Sequence, residues 1–216
     1  MNEPWKKFLV LYTLQLLHLT DFMSIAPLGA VFVSANCIDS GTISTAVAFY
    51  SAGALLATCV VSRIRGSLRK TMNVLFFGFI FSQIILYFGV TPASFVFAKT
   101  IGGLTGGLMG AMAYSQLSKI EDEKKQGLWN GRIQTVQSIV TVVSVPGSIF
   151  MVSFFGSAGF YVGMAFAAVA VMFLFLSTDL MNDTQEKHGG MDWSLLKKHP
   201  DVAVTGCLSF LSAFLF

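Results

Sequence analysis

The chain has 216 residues, of which 54% are hydrophobic and only 12% are charged, with a formal net charge of +3. Soluble domains carry roughly 25% charged residues, so this composition excludes a protein surrounded by water on all sides. It indicates a protein embedded in a lipid bilayer, and we do not expect nucleic acid as a partner.

Six stretches are long and apolar enough to cross a membrane, which takes about 20 residues of helix. They lie at approximately residues 8–33, 43–62, 72–90, 94–118, 132–154 and 158–177, and a seventh starts near residue 201. We therefore predict an all-α membrane protein with three parts. These are a six-helix bundle over residues 1–177, a cytoplasmic linker over 178–200 and the start of a seventh helix over 201–216.

The basic residues predict one orientation, because Lys and Arg in short connections mark the cytoplasmic side. The connections at 34–42, 91–93 and 155–157 contain no Lys or Arg. Apart from Lys99, the basic residues lie before the first span, in the other connections or at their edges, namely Lys6, Lys7, Arg63, Arg65, Arg69, Lys70, Lys119, Lys124, Lys125, Arg132, Lys187, Lys197 and Lys198. We predict a multi-pass protein of the plasma membrane with a cytoplasmic N-terminus.

The spans divide into two units of three helices. Because three is odd, the two units must run through the membrane in opposite directions, which makes them inverted repeats. This plan is common in secondary transporters, whose binding site lies between repeats near the middle of the bilayer.

Asp21 is the only acidic residue inside an apolar stretch, and it lies near the middle of the first span. Carboxylates within a membrane usually face a cavity or carry protons, although Asp21 could also simply bond a neighbouring helix. His18 and Gln15 precede it by one and two turns on the same helix face. We predict that Asp21 and His18 couple the protein to protons. A His18 side chain bonded to a backbone or hydroxyl partner is the alternative.

Lys99 is the only basic residue inside a span. Its side chain either reaches back to the membrane surface, as long cationic side chains do, or points into a cavity. The fifth span, at 132–154, carries a polar stripe on an otherwise apolar helix. Such a stripe would be unfavourable against lipid, so it should line either a helix contact or an aqueous path, and we favour the path. The predicted substrate cavity consists of Gln15, Lys99, Gln134, Gln137 and Thr141.

Glycine and proline mark two further features. Gly102, Gly106 and Gly110 recur every four residues, a spacing that lets membrane helices pack closely. Proline inside a helix removes a backbone hydrogen bond and clashes with the carbonyl four residues back. We therefore predict hinge or cavity-shaping elements at Pro27 with Gly29 and at Pro146 with Gly147.

Several of these motifs resemble the N-terminal half of a major facilitator superfamily transporter, in particular the bacterial arabinose-efflux and drug:proton antiporter permeases. They are Asp21-Phe22-Met23 with Pro27-Leu28-Gly29, the basic loop at 62–70, Lys99 with its following glycines, and Ser144-Val145-Pro146-Gly147. The resemblance implies a bacterial inner-membrane location and a second six-helix bundle, with substrate bound between the two. It also implies that Arg63, Arg69 and Lys70 act in gating.

We therefore expect a half of a secondary transporter that exports a small molecule by alternating access, driven by a proton gradient without cofactor or metal. Its expected partners are the lipid bilayer, the substrate, and either a C-terminal bundle or a second copy. The alternative is a scaffold that associates through the glycine face of helix 4 and does not transport, or an inactive fragment. An enzyme is not expected, since the sequence lacks a His-Glu-x-x-His motif.

Overall fold

A computed structural model of the chain describes residues 4–61, 67–120 and 123–177, and this part is helical. The elements are α1 (Pro4–Met23), α2 (Ile25–Ser34), α3 (Ser40–Val61), α4 (Leu68–Phe88), α5 (Pro92–Ile120) and α6 (Glu123–Leu176). The predicted linker at 178–200, the seventh span and Arg63 lie outside the described residues.

Five helical segments of the described chain are long and apolar enough to span a membrane. They are Leu9–Ser34, Ser40–Val61, Leu68–Phe88, Pro92–Ala113 and Gly131–Leu176. The all-helical membrane fold is thus confirmed, and the first four segments agree with the predicted spans to within a few residues at each end. The fifth covers the two remaining predicted spans.

That fifth segment, at 46 residues, is more than twice the length that one crossing needs. Gly156 interrupts it with backbone angles of φ 71° and ψ 172°, outside the helical region. Only glycine adopts such angles readily. The break falls inside the predicted connection at 155–157, so the helix changes course where the sequence places a turn.

The first span is interrupted at Ser24, between α1 and α2. Pro27 lacks a backbone N–H and therefore cannot bond the carbonyl of Met23, four residues back. The Ser24 hydroxyl donates to the backbone carbonyl of Asp21, at 2.8 Å. The break at Ser24 thus lies about one turn after the predicted proton carrier, Asp21.

The predicted connection between the fourth and fifth spans, residues 119–131, is too long. Helix α5 continues to Ile120, and α6 begins at Glu123. The polar segment after Glu123 consists of Lys124, Lys125 and Gln126, which are good helix formers. A polar composition marks the end of the membrane here, but it does not end the helix.

Helices α1 and α5 form the centre of the bundle. α5 packs against α1, α3 and α4, while α6 packs against α1, α2 and α4. The outer faces of α4 and α6 expose large apolar side chains, among them Val74, Phe77, Phe166 and Phe173. Such faces are suited to lipid, and the central helices are left to hold the polar residues.

Candidate functional site

The centre of the site is an ion pair between α1 and α5. The Lys99 Nζ atom lies 2.6 Å from Asp21 Oδ1, and the two side chains are 1% and 0% exposed. Lys99 Nζ also approaches the Asp21 backbone carbonyl at 3.5 Å. In this structure the Lys99 ammonium group therefore lies at Asp21, between α1 and α5, and not at a helix end.

Helix α4 contributes a second donor to the same carboxylate. Gln83 Nε2 lies 3.2 Å from Asp21 Oδ1 and 3.2 Å from the Ser82 hydroxyl, which itself donates to the Phe79 carbonyl at 2.6 Å. All of these side chains are buried. Gln83 was not among the predicted site residues, although two adjacent polar residues in the middle of an apolar span were a usable signal.

Helix α6 contributes the aromatic ring of Tyr161. Lys99 Nζ lies 5.9 Å from its ring centroid, within the range of a cation–π interaction. Tyr161 was also overlooked as a site residue. It is the only polar side chain between Ala158 and Leu176, and it is 1% exposed.

Three polar atoms of this cluster lack a hydrogen-bond partner among the described residues. They are Asp21 Oδ2, Gln83 Oε1 and the Tyr161 hydroxyl oxygen, and all three are buried. A buried polar atom without a partner costs about 1–3 kcal/mol. The carboxylate is therefore held on one side only, with its second oxygen free to accept a proton or a hydrogen bond.

Replacing Gln83 by Met is expected to destabilise the protein by about 1.5–3 kcal/mol, the usual range for a hydrogen bond to a charged group. Unfolding would be followed in a titration from dodecylmaltoside into SDS. Gln134→Met, at an exposed position of α6, is the matched control and should change stability by less than about 0.5 kcal/mol. Equal effects of the two variants would contradict a role of Gln83 in holding Asp21.

The polar residues of α1 lie over the glycines of α5 one by one. A Cβ atom on Gly102 would lie 2.9 Å from Asp21 Oδ2, and one on Gly106 would collide with the imidazole of His18. Gln15 lies over Gly110, where its Nε2 donates to the glycine carbonyl at 3.3 Å. The glycines of α5 thus leave the space that the polar side chains of α1 occupy.

A second glycine face of α5 packs against α3. Cβ atoms on Gly103 and Gly107 would overlap the backbone of Tyr50 and of Ala54, and one on Gly53 of α3 would lie 3.1 Å from the Thr100 carbonyl. The two helix backbones touch here without side chains between them. This close packing brings Tyr50 into the site.

His18 and Tyr50 form a pair next to Asp21. The Tyr50 hydroxyl lies 2.8 Å from His18 Nδ1 and 3.2 Å from the His18 carbonyl. The two rings are stacked, with centroids 5.7 Å apart. Tyr50 is 2% exposed, whereas His18 is partly exposed.

In the comparison with family models, the sequence matches the Major Facilitator Superfamily over residues 11–216. The chain belongs to the Major Facilitator Superfamily. A search of the curated proteins gave no match. Members of this superfamily are membrane transporters and not enzymes, so the chain is a multi-pass membrane protein of a transporter family.

In this superfamily member, the other predicted cavity residues lie apart from the ion pair. Gln134 and Thr141 are exposed on α6, and Gln137 is partly exposed. Their neighbour Ser144 is hydrogen-bonded to Thr20 of α1, with 3.2 Å between the two hydroxyl oxygens, and both residues line a cavity of about 300 Å³. By contrast, Gln15 and Lys99 are buried in helix contacts.

The residues predicted as hinges and gates are placed as follows. Pro27 and Gly29 lie in α2, where a Cβ atom on Gly29 would meet Ile43 of α3 at 2.7 Å. Pro146 lies inside α6, and Gly147 lines the 300 Å³ cavity. Arg69 and Lys70 are exposed in the first turn of α4. No group of three His, Cys, Asp or Glu side chains that could bind a metal occurs in the described part of the chain.

Proposed function

We propose that the protein is a proton-coupled secondary transporter that exports a small molecule by alternating access. The observation that carries the proposal is the ion pair of Asp21 with Lys99, sealed between the two central helices. Asp21 binds and releases the proton, and Lys99 is its counter-ion. The proton gradient is the energy source, and no cofactor takes part.

The energetics of the pair favour a switch over a purely structural role. Burying a charge in a protein costs several kcal/mol per ion, and replacing a buried ion pair by apolar residues is often neutral or stabilising. The Asp21 carboxylate also has one oxygen without a partner. A pair that does little for stability and is only partly satisfied is suited to being broken.

Protonation is the event that breaks it. A neutral Asp21 no longer attracts Lys99, so the contact between α1 and α5 loses its electrostatic part. A ligand can shift a conformational equilibrium only by its different affinity for the two states. Here the ligand is the proton, and it favours the conformation in which Asp21 and Lys99 are not paired.

The proposed topology has six crossings arranged as two inverted repeats. The 46-residue segment of α6 provides two of them, because the break at Gly156 divides it into two lengths of about 20 residues or more. In this arrangement α1 belongs to the first repeat and α5 to the second. The ion pair then lies between the repeats, where secondary transporters bind substrates and ions.

Export by exchange against protons, in the bacterial inner membrane, is the form of coupling that the motifs around Asp21 and Pro146 favour. The substrate is a small molecule bound between this bundle and a second one, supplied by a C-terminal bundle or a second copy. Pro27 and Pro146 lie in helices that border the polar residues, as hinge positions would.

Asp21→Asn is the direct test of proton coupling. The full-length protein in vesicles with an acidic lumen is expected to accumulate ethidium or, in a parallel assay, L-arabinose after transfer into alkaline buffer. Asp21→Asn cannot bind or release a proton, so accumulation should fall to the level of empty vesicles.

Asp39→Asn is the matched control. Asp39 is exposed and caps α3 by accepting a bond from the Thr42 backbone N–H at 2.7 Å, which Asn does equally well. It should transport like the wild type. An Asp21→Asn protein that responds to the pH gradient like the wild type would disprove the coupling.

A scaffold role finds no support in the packing. The scaffold hypothesis requires the glycine face of the fourth predicted span, which is α5, to bind another chain. However, Gly102, Gly106 and Gly110 are buried against α1, and Gly103 and Gly107 are buried against α3. Both glycine faces are occupied within this bundle.

A further inference from the structure

We propose that Tyr50 carries protons between His18 and Asp21, so that the proton site is a three-residue relay and not a single carboxyl group. This inference rests on the proposed function and adds a residue from α3 that the motifs of the sequence did not mark. Four observations carry it, namely the burial of Asp21, the two bonds of Tyr50, the free oxygen of Asp21 and the glycines beneath them.

The first observation is a difference in exposure. Asp21 is 0% exposed and is enclosed by α4, α5 and α6 through Gln83, Lys99 and Tyr161. His18, one turn earlier, is partly exposed. His18 is thus the less enclosed of the two side chains, so the relay places proton entry at His18 and an intervening group between His18 and Asp21.

Tyr50 occupies the place of that group. Its hydroxyl lies 2.8 Å from His18 Nδ1, and the edge of its ring lies beside the Asp21 carboxyl. Its Cε2 atom and Asp21 Oδ2 lie beside the same glycine, 3.4 and 2.9 Å from where a Cβ atom on Gly102 would be. The oxygen on this side of Asp21 is the one without a partner.

A hydroxyl has one hydrogen and two lone pairs, so it can donate one bond while accepting another. When His18 is neutral and its Nδ1 atom carries no hydrogen, the Tyr50 hydroxyl donates to Nδ1. When His18 is protonated, its Nδ1–H donates to the Tyr50 oxygen. The Tyr50 hydrogen is then released and can turn to Asp21 Oδ2.

The transfer balances without any other reactant. The N–H bond at His18 Nδ1 breaks as a new O–H bond forms on Tyr50, and the original Tyr50 O–H bond breaks as one forms on Asp21 Oδ2. His18 loses its positive charge, Asp21 loses its negative charge, and Tyr50 is neutral before and after. The neutral carboxyl group then releases Lys99.

The ionisable groups around the relay come from four helices. They are His18 and Asp21 of α1, Tyr50 of α3, Lys99 of α5 and Tyr161 of α6, while α4 contributes the uncharged Gln83. Lys99 is the cationic partner of Asp21 in the ion pair. It opposes a positive charge on His18 and so favours onward transfer of the proton.

Tyr50→Phe removes the hydroxyl but keeps the ring that packs against His18 and Phe22. Accumulation of ethidium driven by the pH gradient is expected to slow by about tenfold or more, since losing one hydrogen bond of about 1.4 kcal/mol in the transfer step gives a factor of ten. Tyr87→Phe, which removes an exposed hydroxyl from α4, should transport like the wild type.

A double-mutant cycle tests whether Tyr50 and His18 act in series. If they do, His18→Gln combined with Tyr50→Phe should be no slower than the slower single variant, because contacting residues in one path are not additive. The ¹⁵N NMR signals of His18 give a second readout. Their titration should change in Tyr50→Phe and stay unchanged in Tyr87→Phe.

The outcomes separate the two proposals. Wild-type rates in Tyr50→Phe beside an inactive Asp21→Asn would overturn the relay and leave Asp21 as the proton carrier. Additive slowing in the double variant, or an unchanged His18 titration, would also overturn the relay. A wild-type response in Asp21→Asn would instead remove the proposed function, and the relay with it.

Discussion

Replacing Lys99 by Met is expected to destabilise the protein by about 3–5 kcal/mol, the usual effect of removing one partner from a buried ion pair. Met fills the space of the lysine stem but carries no charge. The Asp21 carboxylate, 0% exposed, then keeps Gln83 as its one side-chain donor among the described residues. Its charge remains without compensation inside the bundle.

The double variant Asp21→Asn/Lys99→Met should recover most of this loss. The side-chain amide oxygen introduced at position 21 can accept the bond from Gln83 that the carboxylate accepts, and no charge remains buried. Stability would be measured by the same detergent-to-SDS titration, and transport in the vesicle assay. We expect a protein that is stable but does not respond to the pH gradient. This result would show that the ion pair is needed for proton coupling and not for folding. A double variant as unstable as Lys99→Met would show that the cost lies in packing around Lys99 and not in its charge.

Gly103→Ala is the second variant with a large expected effect. The added methyl group would overlap the Tyr50 carbonyl oxygen and lie within 2.8 Å of its Cα atom. These are backbone atoms, so no change of rotamer can relieve the contact, and α3 must move away from α5. Overpacking of this kind costs typically about 1–3 kcal/mol. Because Tyr50 moves with α3, transport should fall as well.

Gly131→Ala is the matched control for this variant. Gly131 also lies inside a helix, but a Cβ atom there would meet no atom within 4 Å. Alanine is the better helix former, so the control should be as stable as the wild type or more so. A Gly103→Ala protein with wild-type stability and transport would contradict the close packing of α3 on α5.

The membrane fold could be predicted because it depends on local properties. Apolar length and the positions of Lys and Arg indicate where the chain crosses the bilayer, and neither depends on which helices touch. The same applies to Asp21, whose position within a span marks it whatever its neighbours. The extension of α6 back to Glu123 was missed because helix propensity continues through residues that are too polar for the membrane.

The partners of Asp21 could not be predicted in the same way. Gln83 is 62 positions from Asp21 along the chain and Lys99 is 78 positions away, and nothing in the sequence alone links these side chains to one carboxyl group. Tyr50 looked like one aromatic residue among many. The glycine stripe of α5 predicted a close helix contact but not that α1 would be the helix seated on it.

The amino-acid sequence by itself thus determined that the chain is a helical membrane protein with one intramembrane carboxyl group and one intramembrane ammonium group. Only the tertiary structure decided that these two groups neutralise each other and that Gln83, Tyr50 and Tyr161 surround them. The physical reason is that insertion into lipid is a property of each segment, read from its own residues. An ion pair is a property of two segments, and it exists only where helix packing brings the charges within a few ångströms.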